Sequence, residues 1–358
     1  MLVANFYVGW SLMPNIHMSS HAMALVSILS LNTSALIAYG TMARQFINNQ
    51  KTIDKLVFIG GLVMFWSSSL LVLTIIRELL LIISFFEPWR NFSATTVILI
   101  TSALTAIGYR NARQTAKIKR VQIQIDKLPP ALHNFQIIQL TDIHVGSTIK
   151  HDYVNSIVTR VNSVNADLIA ITGDIVDNTV ENLKFHTHPL SKLQARHGAY
   201  IVTGNHEYYS GADDWIIEFK RLGLNCLLNE HKIIDHNTAK IAIAGVNDFS
   251  AIKRNHIETS AALHNSDPYK AAAGIPINIP KILLAHQPRS AFEASNAGYD
   301  LQLSGHTHGG QFWPWNFLVR VQQPFTAGLY RLNNLWVYVS RGTGYWGPPI
   351  RIGAPSEI

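Results

Sequence analysis

The stretch Gly305-His306-Thr307-His308-Gly309-Gly310-Gln311 is the most informative part of this 358-residue chain. It follows an apolar run, 301–304, that predicts a short β-strand. Two imidazoles one residue apart then place two nitrogen donors at the end of that strand, where the flanking glycines let the backbone bend around an ion. The stretch predicts a fold in which strand ends carry metal ligands.

Four apolar runs upstream are also followed by a side chain of a type that can bind a metal ion. These runs are 135–141, 168–172, 199–203 and 281–285. Helical stretches are predicted between them at about 151–164, 188–196 and 212–222. Such alternation is typical of an α/β domain, in which side chains gather at the carboxyl ends of the strands. The side chains delivered there are Asp142, His144, Asp174, Asn205, His286, His306 and His308.

These seven side chains suit a pair of divalent metal ions. Imidazole, carboxylate and amide groups bind manganese, iron and zinc, whereas the single cysteine, Cys226, excludes a thiolate cage. One carboxylate can bridge two ions while the other six side chains complete their shells. We expect two ions, with manganese favoured, and hydrolysis at a phosphoryl group.

The ordered motifs resemble the calcineurin-like metallophosphoesterase family over about residues 135–342. They are Asp-x-His at 142–144, Gly-Asp-x-x-Asp at 173–177, Gly-Asn-His-Glu at 204–207, the lone His286, and Gly-His-x-His at 305–308. The variants Thr-Asp-Ile-His-Val-Gly, Ala-His-Gln-Pro and Gly-His-Thr-His-Gly-Gly-Gln are similar to a membrane-associated bacterial branch. The resemblance implies an α/β (α+β) fold, with a β-sandwich flanked by helices.

The resemblance also implies a role for each side chain. One metal ion would be held by Asp142, His144 and His308. The other would be held by Asn205, His286 and His306, with Asp174 as the bridge. His206, oriented by Glu207, would protonate the leaving oxygen or steady the charge of the transition state. From the motif alone, Asp177 is expected to support the ligands or cap a turn without binding a metal. A metal-bridged hydroxide would attack phosphorus.

The first 109 residues are predicted to cross a membrane. Only eight of them are charged, and three uncharged runs have about the ~20 residues that span a hydrocarbon core: 21–43, 56–76 and 91–109. Residues 1–16 are also uncharged but shorter, and whether they form a fourth span stays open. Basic residues after the first and third runs predict that both flanks, and the domain that follows, are cytoplasmic.

These patterns divide the chain into three parts. They are a transmembrane region at 1–109, a basic linker at 110–130 and a phosphoesterase domain at 131–358. The net charge is +7, yet residues 131–358 contain 18 basic and 18 acidic residues. A long nucleic acid is therefore not an expected partner. We expect a multi-pass protein of the inner (plasma) membrane whose partner is the lipid bilayer, and no protein partner is evident.

The membrane tether favours a lipid or nucleotide-lipid substrate. The resemblance implies a phosphodiester or a pyrophosphate such as that of UDP-2,3-diacylglucosamine. Phe312, Trp313 and Trp315 follow the paired histidines. Three interpretations stay open for them: ordinary packing, insertion into the membrane interface, and an apolar wall for the substrate, which 345–349 would extend. Two alternatives remain: a nuclease or cyclic-nucleotide phosphodiesterase, and a non-catalytic metal-binding membrane scaffold.

Overall fold

A computed structural model describes residues 2–16, 47, 49–126, 128–249 and 265–358. The chain forms two compact units, one of residues 1–114 and 347–352, the other of residues 115–346 and 353–358. The prediction of a mixed α/β fold with apolar helices at its N-terminal side is confirmed. The finer division at residues 109 and 130 stays a prediction.

Within the described residues of the first unit, the long helical elements are α1 Leu2–Leu12, α2 Gln50–Leu81 and α3 Arg90–Arg113. Two apolar segments, Gln50–Leu81 and Phe85–Arg113, are long and apolar enough to cross a membrane by length and composition. The predicted runs 56–76 and 91–109 lie within them, and the run 21–43 lies outside the described residues. Helix α1 has 11 residues, about 16 Å at 1.5 Å per residue, so this helix is too short to span a ~30 Å core by itself.

The three helices pack through one apolar cluster, in which α1 supplies Val8 and Leu12, α2 supplies Leu70, and α3 supplies Ala94 and Val97. Ala94 is fully buried in this cluster, and it is a small residue of the kind that is common where apolar helices pack.

Arg77 and Glu78, the charged pair within the apolar helix α2, form an ion pair, and Arg77 also forms hydrogen bonds. Arg77 is buried and forms an ion pair with Glu78. Its guanidinium also donates to Ser93 Oγ at 2.9 Å and to the carbonyl of Arg90 at 2.8 Å. A charged group inside an apolar helix is tolerated when it is paired in this way.

The second unit is built on two β-sheets. The strands within the described residues are β1 Ile137–Leu140, β2 Leu168–Thr172, β3 Ala199–Val202, β4 Asn225–Cys226, β5 Glu230–His236, β6 Ala239–Gly245, β7 Lys281–Leu284, β8 Leu301–Ser304, β9 Gly328–Leu332 and β10 Leu335–Val339. One sheet is parallel, with the order β1-β2-β3-β4, and the other has the order β5-β6-β7-β8-β10-β9. Strands β6, β7, β8 and β10 run parallel, while β5 and β9 are antiparallel edge strands.

The two sheets form a sandwich because alternate residues of their strands share one core. Leu168 and Ala170 of β2 belong to the same buried cluster as Ile282 and Leu284 of β7. The intervening Leu283 belongs to a second cluster with residues of helix α9, Ala291–Asn296. Strands buried on both faces are expected to be apolar throughout. The predicted helix-flanked β-sandwich is therefore confirmed.

The other α-helices in the described part of this unit are α4 His151–Asn162, α5 Val180–Thr187, α6 Asn205–Ser210, α7 Ala212–Arg221, α8 Pro268–Ala272 and α10 Asn316–Gln322. The predicted helix at 188–196 is wrong, because the α-helix ends at Thr187 and only a 3-10 turn, His188–Lys192, follows. Pro189 lacks an amide hydrogen and its ring clashes with the preceding turn, so it starts the 3-10 turn instead of continuing the helix.

Candidate metal centre

The predicted ligands lie at the carboxyl ends of five strands drawn from both sheets. Strand β1 is followed by Asp142 and His144, β2 by Asp174, and β3 by Asn205. In the other sheet, β7 is followed by His286, and β8 by His306 and His308. The turn after β1 is joined to the turn after β2, because the amide of Asp142 donates to the carbonyl of Gly173 at 3.0 Å.

One group of possible ligands consists of Asp142, His144 and His308. All three side chains are buried. Nε2 of His308 lies 3.4 Å from Oδ1 of Asp142 and 3.0 Å from Nε2 of His144. Three donors this close, aimed at one point, have the chemistry and spacing of a divalent metal site.

A second group consists of Asp174, His286 and His306. Nε2 of His286 lies 3.1 Å from Oδ2 of Asp174 and 3.2 Å from Nδ1 of His306. The same Oδ2 lies 3.8 Å from Nε2 of His144, a member of the first group. Asp174 therefore stands between the two groups, where a bridging carboxylate would be.

Asn205 adds an amide oxygen to these donors. Its Oδ1 is buried and, within the part of the chain that the structure describes, has no hydrogen-bond partner. Leaving a buried carbonyl oxygen unpaired costs about 1–3 kcal/mol. A metal ion would satisfy this oxygen, so the donor set fits the implied ions.

Hydrogen bonds on the far side of the rings orient two of the histidines. Nδ1 of His144 lies 2.8 Å from Oδ1 of Asp177, and Nδ1 of His286 lies 2.8 Å from the carbonyl oxygen of Thr172. Each Nδ1 is then the protonated nitrogen, which leaves Nε2 as the donor toward the site. Such outer partners are the usual way in which metal-binding histidines are held.

The role predicted for Glu207 needs correction. Its carboxylate accepts hydrogen bonds from the backbone amides of Asp174 at 2.9 Å, Ile175 at 2.7 Å and Gly204 at 2.6 Å. It thus fastens the turn after β2 to the turn after β3. His206 is oriented instead by Asp177, whose Oδ1 lies 2.8 Å from Nδ1 of His206.

Asp177 therefore contacts two imidazoles, those of His144 and His206, through one oxygen. Burial disfavours the protonated form of His206, but the hydrogen bond to Asp177 and the charges of Asp174, Asp177 and Glu207 outweigh it and raise its pKa to about 9. The Nε2 of His206 lies 4.0 Å from Oδ2 of Asp174. His206 can thus carry a proton at the edge of the ligand cluster.

The two central carboxylates differ in their acidity. Burial by itself would raise the pKa of Asp174, but His286, His206 and His144 lower it well below its usual range. Burial also has the largest influence on Asp142, and there it raises the pKa. Asp174 is held more firmly in its ionised form, which suits a carboxylate shared by two cations.

The backbone is strained at the site. Five ligand residues and one neighbour have φ between 51° and 69°: Asp142, His144, Asp174, His306, His308 and Gln311. Every other described non-glycine residue with positive φ is an asparagine, which tolerates this region. Each strained residue costs about 1–3 kcal/mol, and such residues cluster where chemistry needs a fixed geometry.

Two motif glycines are required by close approach. A Cβ on Gly204 would lie 2.2 Å from Oδ1 of Asp174, and a Cβ on Gly305 would lie 2.1 Å from Oδ2 of Asp142. Any larger residue would displace a carboxylate of the site, which explains the glycine in each of the two motifs.

Asp248 is a further buried group beside the site, at the end of the segment after β6. Nε2 of Gln287 donates to both of its carboxylate oxygens at 3.1 Å. Its charge is also one of the influences that raise the pKa of the adjacent His286. In the sequence, the only indication that Asp248 lies near the site is the apolar strand before it. A strand that ends in an ordinary turn has the same pattern.

The aromatic residues considered for the site come from three segments of the chain: 312–315, the helix α6 and the loop that contains Trp346. Trp313 and Trp315 are 47% and 41% exposed, and Phe312 is partly buried. The rings in contact with His206 are others: the ring centroid of Tyr209 lies 5.2 Å away and that of Trp346 lies 5.8 Å away. Tyr209 was missed, although its position three residues after His206 on α6 was a usable signal.

Comparison with known proteins was consistent with this geometry. A family model described as calcineurin-like phosphoesterase matches residues 135–310, which include all seven candidate ligands. A zebrafish (Danio rerio) "Transmembrane protein with metallophosphoesterase domain" is 37% identical over 276 residues, covering 75% of this chain and 62% of the relative. An "Uncharacterized metallophosphoesterase" of Helicobacter pylori is 40% identical over 255 residues, covering 70% and 65%.

A third relative, an "Uncharacterized metallophosphoesterase" of Aquifex aeolicus, is 30% identical over 247 residues, covering 68% of this chain and 89% of the relative. The chain thus spans less than two thirds of the fish and Helicobacter proteins but most of the Aquifex one. Because vertebrate and bacterial proteins are similarly identical to the chain, the similarity supports a family and does not single out a bacterial branch.

Proposed function

The chain belongs to the calcineurin-like phosphoesterase family, and from that premise we propose that it hydrolyses a phosphodiester or pyrophosphate bond with two divalent metal ions. The observation that carries the proposal is the position of Asp174. Its Oδ2 lies 3.1 Å from Nε2 of His286 and 3.8 Å from Nε2 of His144, which belong to different ligand groups.

We propose that the first ion is held by Asp142, His144 and His308, the second by Asn205, His286 and His306, and both by Asp174. When bound, such a pair of ions polarises the phosphoryl group and acidifies water. Nitrogen and oxygen donors without thiolate suit manganese, iron or zinc, of which we favour manganese.

His206 is the proposed proton donor. In hydrolysis the oxygen of water bonds to phosphorus, the bond from phosphorus to the leaving oxygen breaks, and that oxygen takes up a proton. Asp177 fixes Nδ1 of His206 at 2.8 Å, so Nε2 is the atom that delivers the proton. The raised pKa of His206 keeps the proton available at neutral pH.

We further propose that the protein is anchored in the inner (plasma) membrane as a multi-pass protein, with its catalytic domain in the cytoplasm. The support is the pair of long apolar helices, a relative named as a transmembrane protein, and the basic flanks. Because the anchor would hold the catalytic domain next to the bilayer, a lipid or nucleotide-lipid substrate is favoured. UDP-2,3-diacylglucosamine is the specific candidate. Phe312, Trp313 and Trp315 are proposed as its apolar wall.

The test is a substrate panel with the purified full-length protein and Mn²⁺. The panel contains a nitrophenyl phosphodiester, UDP-2,3-diacylglucosamine, a phosphatidic acid, a cyclic nucleotide and single-stranded DNA, and Asp174→Asn serves as the inactive control. We expect metal-dependent hydrolysis of the diester and of a lipid-linked substrate. Absence of metal-dependent hydrolysis across the panel would falsify the enzyme proposal, and turnover of DNA or the cyclic nucleotide alone would favour the alternative substrates.

The proposed orientation has a separate test in sealed right-side-out vesicles. The catalytic domain should resist external protease until the vesicles are opened by detergent. Digestion in intact vesicles would place the domain on the outer side and exclude the cytoplasmic assignment.

A further inference from the structure

The imidazole of His206 has two aromatic neighbours that the proposed chemistry does not use. The ring of Tyr209 lies edge-on at 5.2 Å between centroids, and that of Trp346 lies edge-on at 5.8 Å. Tyr209 and Trp346 are 54% and 53% exposed, although His206 itself is largely buried. Two large rings with half of their surface accessible therefore flank this imidazole.

Trp346 is held in place by a buried side chain from a different loop. Oε1 of Gln311 accepts from the amide of Trp346 at 2.9 Å, and Nε2 of Gln311 donates to its carbonyl at 2.8 Å. Gln311 is buried and has a φ of 54°, and it lies three residues after His308 in the same turn.

The segment before Trp346 is attached to the other side of the site. The amide of Gly344 donates to the carbonyl of Asp142 at 3.0 Å, and that of Thr343 donates to the carbonyl of Thr141 at 2.8 Å. Trp346 is therefore connected by hydrogen bonds to two of the loops that carry metal ligands. These bonds fix the backbone of Trp346, so only the torsions of its own side chain remain to be ordered when a ligand covers the ring.

We propose that Tyr209 and Trp346 form the subsite for the leaving group, and that this group presents a flat ring, either an aryl group or a nucleoside. The inference rests on the proposed function, in which Nε2 of His206 protonates the leaving oxygen. That oxygen must come within hydrogen-bonding distance of Nε2. The atoms bonded to it then lie beside the two rings.

A flat ring is the ligand that such a surface favours. Tyrosine and tryptophan bind planar groups through their faces, and base stacking on an aromatic side chain tolerates any base. A flexible acyl chain would gain less from two stiff rings, because it must be ordered to lie against them.

The test compares two methyl phosphodiesters that differ in the leaving group, one releasing 4-nitrophenol and the other a fluorinated aliphatic alcohol of similar acidity. The variants are Tyr209→Leu and Trp346→Leu in the full-length protein, and Tyr269→Leu is the matched control because Tyr269 is 52% exposed on α8. We expect each subsite variant to lose about tenfold in kcat/KM on the aryl ester, mostly in KM. The alkyl ester and the control should be almost unaffected.

Equal losses of kcat/KM on both esters would mean that the rings only position His206. No loss on either ester would mean that the rings do not contact the substrate. Either result overturns the proposal. A binding measurement separates this failure from failure of the hydrolase proposal. By calorimetry, uridine 5′-monophosphate should bind the unaltered protein more tightly than inorganic phosphate, and both leucine variants should reduce that ratio. If the leucine variants reduce this affinity ratio but the protein hydrolyses no ester, the ring-binding subsite is supported and the hydrolase proposal is rejected. If the variants leave the ratio unchanged, the subsite proposal is rejected.

Discussion

Asp177→Asn is the sharpest test of the site, because one carboxylate oxygen serves two imidazoles. Oδ1 of Asp177 lies 2.8 Å from Nδ1 of His144 and 2.8 Å from Nδ1 of His206. The substitution keeps the shape of the side chain and an oxygen acceptor but removes the charge. It therefore affects a proposed metal ligand and the proposed proton donor together.

The size of the effect follows from the two hydrogen bonds. A bond to a charged acceptor contributes about 1.5–3 kcal/mol and a neutral one about 0.5–1.5, so losing the charge on both costs about 2–3 kcal/mol. At 1.36 kcal/mol for each factor of ten, we expect kcat/KM to fall by about 30- to 150-fold. Metal affinity should fall by about 10- to 100-fold, because His144 loses its anionic partner.

The substitution also predicts a shift in the pH profile. The hydrogen bond and charge of Asp177 help to raise the pKa of His206 to about 9. Activity that needs the protonated imidazole is present below that pKa and is lost as the pH rises through it. Without Asp177 the pKa falls, so the alkaline loss of activity should begin at a lower pH.

The assay is kcat/KM of the full-length protein from neutral to alkaline pH on a phosphodiester that releases an unactivated alcohol, which must leave in its protonated form, together with titration of Mn²⁺ binding. Asp214→Asn is the matched control, because Asp214 is an exposed carboxylate on the nearby helix α7. An unchanged alkaline limb together with unchanged Mn²⁺ affinity would refute the role that we assign to Asp177.

Four further outcomes are expected. Glu207→Gln should lower the Tm of the chelator-treated protein, since three buried amides lose a charged acceptor at about 1 kcal/mol or more each; an unchanged Tm would contradict the fastening role. Gly305→Ala should cut bound metal measured by elemental analysis, because its Cβ would meet Asp142; full metal content would show that the turn relaxes. Replacing both Trp313 and Trp315 by Ala should spare a soluble chromogenic diester and slow a lipid-linked one, and equal losses would exclude the wall. Removal of metals by a chelator should abolish turnover and added Mn²⁺ should restore it; activity that persists in the metal-free protein would contradict a metal-dependent reaction.

Local sequence was sufficient to locate the strand ends. Asp142, Asp174 and His286 each follow a run that is apolar because both faces of its strand are buried. Such runs and the polar residue after them are recognised within a few neighbouring positions. The helix predicted at 188–196 is wrong because Pro189 starts a 3-10 turn there, and the α-helix lies before it at Val180–Thr187.

Contacts between side chains that are far apart in the sequence could not be predicted from local sequence patterns. The resemblance implied that Glu207 orients His206, but adjacent side chains on a helix point about 100° apart, so they do not face each other. Asp177 reaches His206 from the turn after β2, and Gln311 reaches Trp346 across 35 positions of the chain. Neither contact can be recognised from the residues that neighbour it in the sequence.

The sequence by itself determined the chemistry of the site: which residue types stand at the strand ends, in which order, and with glycines beside them. It did so because strand periodicity and metal-donor chemistry are properties of short segments. Only the tertiary structure decided which donors share a group, that Asp174 stands between the groups, and which side chains orient His206. Those relations depend on the packing of two sheets, which brings residues far apart in the chain to within about 3–4 Å, the distances over which ligands and hydrogen bonds act.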